Sequence, residues 1–173
     1  YQYTINGSVN WKGISLSVLF QGVAKRDWSP DMGSVYFWGS GPYAQVTVFE
    51  EHLDYWREDN KDAYYPAPYT AGAGAINNFR NKTSQKTDRY MQNAAYCRLK
   101  NLTVSYDLPG AWTKKVGLSK TQVFFSGENL FTSTKLAKMF DPEAIFTGTS
   151  YTSESGKNYP MNKVISLGLI VNF

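Results

Sequence analysis

The sequence predicts an all-β protein built as an antiparallel meander. Three observations carry that reading. Stretches of strict apolar/polar alternation recur along the chain. The connections between them alternate between short and long. The chain is rich in aromatics, with 13 Tyr, 10 Phe and 5 Trp in 173 residues, yet hydrophilic on average. Alternation reconciles those last two facts, because one face of each strand is apolar and the other polar.

The first strand is expected at about 2–11, where Tyr3, Ile5, Gly7, Val9 and Trp11 alternate with Thr4, Asn6, Ser8 and Asn10. Trp11-Lys12-Gly13 signals a tight turn. The second, about 14–24, alternates Ile14, Leu16, Val18 and Phe20 with Ser15, Ser17 and Gln21. A long region, about 25–94, follows, with Pro30, Pro42, Pro66, Pro68 and a short helix expected near 49–59. Loops this long inside a domain are usually functional or disordered. The third strand is expected at 96–108, with Leu102, Val104 and Tyr106 on one face and Asn101, Thr103 and Ser105 on the other. A moderate connection, 109–120, leads to a fourth strand at 121–131. A second long region, 132–161, precedes the closing strand, 162–173. There Ile165, Leu167, Leu169, Val171 and Phe173 share one wholly apolar face. The opening residues already read as mid-strand sequence, which suggests a piece of a longer chain.

Several function classes recede on composition. No stretch reaches the roughly 18 apolar residues of a membrane helix, which leaves strands as the only way to cross a bilayer. The net charge is +4 with Lys and Arg scattered singly, so nucleic-acid binding is not indicated. One Cys, Cys97, and one His, His52, argue against an internal disulfide, a metal centre or a bound cofactor. Glu50, Glu51 and Asp54 could suggest a glycosidase carboxylate pair with His52 as a base. No nucleophile pattern accompanies them, and a solvated loop or helix face is the simpler reading. Asp141-Pro142-Glu143 offers too few carboxylates for calcium and reads as a turn.

Pattern alone leaves two architectures open. Short links at one rim and long loops at the other suit a transmembrane β-barrel. Half of a soluble β-sandwich, serving as a carbohydrate-binding module, suits the same strands and aromatics. The motifs then narrow the choice. "AAYCRLKNLTVSYDLP", "VFFSGENLFTSTKLAKMFDPEA" and "YPMNKVISLGLIVNF", with the earlier "WKGISLSVLFQGVAKRDW" and "YWREDNKDAYYP", resemble in order the C-terminal end of SusC/RagA-family TonB-dependent outer-membrane transporters. Cys97 departs from that family's usual Leu or Ile in the strand, which is a packing change.

The resemblance implies the last five strands of a roughly 22-stranded barrel, a size class with a plugged lumen, with extracellular loops at about 25–94 and 132–161. The plug would lie outside this chain. It implies a non-enzymatic importer of oligosaccharides or peptides in the outer membrane of a Gram-negative bacterium. The implied partners are the rest of the same transporter chain, a SusD-like surface lipoprotein acting as a lid, the TonB complex and outer-membrane lipid. Lipid would then cover the apolar face of 164–173. Leu167, Leu169, Val171 and Phe173 would form the barrel-assembly signal. Trp11 and Trp112, beside the short turns, are expected as membrane-interface anchors. The aromatics crowding 25–69, Trp28, Tyr36, Phe37, Trp38, Tyr43, Tyr55 and Trp56, with Tyr64 and Tyr65, are expected to contact ligand or lid, because such rings stack on sugars and favour interfaces.

Overall fold

The structure, a computed structural model, describes residues 1–30, 34–39, 47–68, 86–145 and 158–173. Its strands are β1 (Gln2–Trp11), β2 (Ile14–Val23), β3 (Asp27–Trp28), β4 (Gln92–Asn93), β5 (Tyr96–Asp107), β6 (Lys120–Thr134) and β7 (Val164–Asn172). The five long strands form one antiparallel sheet in the order β1-β2-β5-β6-β7, while β3 pairs only with β4. Neighbours in the sheet are thus consecutive long strands, a meander. β6 runs to Thr134, past the 131 at which its alternation fades in the sequence.

Local chemistry sets the turns. Trp11 pairs with Ile14, so only Lys12 and Gly13 span the first hairpin. Both have positive φ, 47° and 86°. That is the type I′ geometry whose twist matches the flanking strands, and Gly13 adopts it without a Cβ penalty. The β5–β6 connection holds a helical turn, Gly110–Thr113, and a 3-10 turn, Lys114–Val116. Gly117 stops it at φ 77°.

The sheet carries a β-bulge that strict alternation does not anticipate. Leu19 lies opposite Asn101 but Phe20 opposite Leu99, so the register steps past Lys100. On the other side Asn101 faces Glu128 and Leu99 faces Phe131, so Asn129 and Leu130 together stand against Lys100 and β6 carries one extra residue. Asn129 takes φ 52°, a left-handed conformation that Asn tolerates better than most residues. Lys100 Nζ donates to Asn129 Oδ1 at 3.3 Å, and Asn129 Nδ2 donates to the Asn162 carbonyl at 3.0 Å. The extra residues shift the phase, so that Leu99 and Leu102, three apart, both reach the apolar face.

The chain divides into two compact units. The first, Tyr1–Arg26, Ala95–Thr134 and Met161–Phe173, is the sheet. The second, Asp27–Ala94 and Lys135–Pro160, is made from the two long connections. It contains the β3–β4 pair, a helical turn at Val35–Trp38 and a 3-10 turn at Glu50–Leu53, within the region where a short helix was expected. It has its own core, formed by Trp28, Phe37, Trp38, Tyr65, Ala94, Leu136, Phe140 and Ile145. The long connections are therefore a packed body, drawn together by aromatic burial.

Candidate functional site

The register divides the sheet by chemistry. Ile5, Val9 and Trp11 of β1 lie across from Phe20, Leu16 and Ile14 of β2. Leu16 and Ile14 lie across from Val104 and Tyr106 of β5. Those two lie across from Phe125 and Val123 of β6, which face Leu167 and Leu169 of β7. One continuous apolar face results. The opposite face presents Thr4, Asn6, Ser8, Asn10, Ser15, Ser17, Gln21, Thr103, Gln122, Ser126 and Ser166 in the same registers. Leu19, Val23, Phe124, Val164 and Ile170 are among its apolar exceptions. The Phe124 ring lies over Gly168, where any Cβ would collide with it.

The apolar face is uncovered. Leu167 is 80% exposed, Leu169 60%, Ile5 59% and Val9 56%. In water so large a contiguous apolar surface marks an interaction site. Val171, opposite Thr121, is half-buried, and Phe173 is 95% exposed, its carbonyl accepting from Ser119 Oγ at 3.3 Å. Trp11 ends β1 and Trp112 sits in the β5–β6 connection, so both lie where the short links join the strands. Both are exposed, and Lys12 Nζ stands 5.0 Å from the Trp11 ring centre.

The aromatic set of the long connections divides differently from the sequence expectation. Trp28, Phe37 and Trp38 are core residues, Phe37 with no exposure at all. The Phe37 ring meets Trp28 at 5.8 Å, Trp38 at 4.9 Å and Phe140 at 6.4 Å, centre to centre. These three side chains have no face left for a ligand or a lid, and the expectation is corrected for them. Tyr65 is buried with them, whereas Tyr36, Tyr55 and Tyr64 are half-buried at the edge of the core. Trp56 is exposed. Tyr43 lies outside the described residues.

The acidic loop is structural. His52 is buried; its Nδ1 accepts from the Phe49 N–H at 2.9 Å, so Nε2 carries the proton and donates to the Phe37 carbonyl at 3.0 Å. Both ring nitrogens are engaged, which removes His52 as a base. Gly39, at φ 60°, lies so close that any Cβ would strike the His52 ring. Sequence reasoning had no sign of this partnership beyond the glycine itself. Asp54 accepts from the Tyr64 N–H and from Asn60 Nδ2, both at 3.1 Å, and these bonds hold its carboxyl below the usual range. Asp141 Oδ1 accepts from the Glu143 N–H at 2.8 Å, closing the turn expected there. Among the described residues no three His, Cys, Asp or Glu side chains gather as metal ligands.

Burial pushes the Tyr65 hydroxyl up to about 12 from its ordinary 10.0. The folded state therefore binds this proton more tightly than the unfolded chain. Its stabilising contribution is complete below pH 10 and fades as pH rises through 12. The loop unit is expected to loosen in that window, and a Tyr65→Phe variant to lose part of this sensitivity. Proteolysis of the loops against pH checks this; identical profiles for both proteins would contradict it.

Comparison with known proteins places this geometry. No protein-family model matches the chain. TonB-dependent receptor P3 of Formosa agariphila is 34% identical over 94 residues, covering 50% of this chain and 9% of the receptor. TonB-dependent receptor P26 of the same organism is 23% identical across 99% of this chain and 17% of its own length. The RagAB peptide importer in its open-open state superposes with a TM-score of 0.66 and 26% identity, over 99% of this chain and 17% of the importer chain. The chain thus spans less than a fifth of each of these three proteins. In sequence and in fold it matches a segment of a SusC/RagA-type TonB-dependent transporter barrel.

Proposed function

We propose that the chain is part of an outer-membrane importer and supplies five neighbouring strands of its barrel wall. The carrying observation is the divided sheet: an uncovered apolar face for lipid and a hydroxyl- and amide-rich face for the lumen. Transmembrane barrels need this division, since lipid-facing and lumen-facing residues alternate. Closure by the rest of the transporter chain satisfies the backbone of β1 and β7, because hydrocarbon tolerates no open sheet edge. Trp11 and Trp112 anchor the short-turn rim at the interface, and Leu167, Leu169, Val171 and Phe173 form the assembly signal.

The role is transport rather than catalysis. The solute is an oligosaccharide or a short peptide, the lid a SusD-like lipoprotein, and the energy comes through TonB acting on a plug carried elsewhere in the protein. Trp56, with the outer parts of Tyr36 and Tyr55, is the aromatic surface offered to solute or lid. Membrane fractionation of the native source tests the reading, following peptides from residues 96–108 and 164–173. Recovery in the outer membrane after a carbonate wash, on a much larger polypeptide, is expected. The same peptides on a free soluble protein of 19.6 kDa would overturn it.

A further inference from the structure

A concavity of about 590 Å³ opens within the loop unit, with Trp56, Lys61, Tyr65, Arg89 and Tyr90 among its lining residues. That volume suits a ligand of a few sugar or amino-acid residues. Arg89 is held in place at this wall. Its guanidinium donates to the Ala63 carbonyl at 2.6 Å and stands 5.8 Å from the Tyr90 ring centre. A planar cation fixed this way keeps further N–H groups for an oxyanion.

Charge balance favours an anion. Among the described residues neither Lys61 nor Arg89 has a carboxylate within ion-pair distance, whereas nearby Arg57 pairs with Asp59 at 2.8 Å. Asp54 feels the Arg89 charge, but its oxygens are directed to Asn60 and the Tyr64 N–H. Two cations beside an exposed indole therefore face the same hollow.

We propose that this hollow binds a carboxylate carried on a compact apolar-faced body, such as a uronic-acid ring or the end of a short peptide. The carboxylate meets Arg89 and Lys61, and the body packs against Trp56. The inference rests on the importer reading and specifies the kind of solute that this loop unit selects.

The intact transporter, purified in detergent, is titrated calorimetrically with two pairs of probes. One pair is digalacturonate and its methyl ester; the other is the tripeptide Gly-Gly-Phe and its C-terminal amide. One acid is expected to bind, with its neutral counterpart about fivefold weaker, and the pair that responds identifies the source. Lys61→Gln and Arg89→Gln are each expected to weaken the acid about fivefold and leave the neutral probe unchanged. Lys61 and Arg89 are both exposed, so neither substitution removes a core side chain. Equal binding of acid and neutral forms, no effect of either variant, or no binding of either acid would overturn the proposal. Those results in a protein recovered from the outer membrane leave the importer reading standing; failure to find the protein there overturns that reading separately.

Discussion

Replacing Leu169 with arginine is expected to keep the protein out of the outer membrane. Leu169 lies opposite Val123, next but one to Leu167, and is 60% exposed in the apolar face. A cation near the hydrocarbon midplane costs roughly 2–4 kcal/mol. The cost falls on insertion rather than on strand pairing, because the β6–β7 ladder is a backbone structure. Ser166→Arg is the matched control. Ser166 faces Ser126 on the polar side, where a charge meets water. Outer-membrane levels and heat-modifiable gel mobility read both variants. Normal levels for Leu169→Arg with loss for Ser166→Arg would invert the assignment of faces.

Phe37→Ala is expected to open the loop unit. Phe37 has no exposed surface, and its ring lies within 4.9 to 6.5 Å of Trp28, Trp38, Tyr64, Tyr65, Tyr90 and Phe140. Truncating a buried aromatic costs about 3–5 kcal/mol through lost transfer energy and the cavity left behind. Cleavage in the long connections should accelerate while the strands stay protected, since every ring that Phe37 meets belongs to the loop unit. A wild-type digestion pattern would show that this core does not hold the loops.

The strands were legible because each has one apolar and one polar face, and period two survives in a single sequence. Ile14, Leu16, Val18 and Phe20 needed no partner to be read. The bulge left a mark that strict alternation passes over. Leu99 and Leu102 are three apart, and no regular strand puts both on one face. The loop unit was the less legible part. The density of rings between 25 and 69 showed that something aromatic happens there, but not which rings point inward. That choice is made by Leu136 and Phe140, which come from the other long connection. The place of His52 was hidden for the same reason: it is set by Gly39 and the Phe37 carbonyl, not by the glutamates beside it. The pocket cations were equally hidden, since Lys61 and Arg89 meet only through the fold.

The shared core of the two long connections constrains the order of events during biogenesis. Phe140 packs against Trp28 at 5.2 Å, yet β5 and β6 lie between them in the chain. Synthesis runs from N- to C-terminus. Trp28, Phe37 and Trp38 thus emerge well before the residues that bury them. Non-local contacts of this kind form late and leave apolar surface open meanwhile. Until Phe140 is made, the aromatic rings of the first connection lack the partner that buries them and stay open to misassociation.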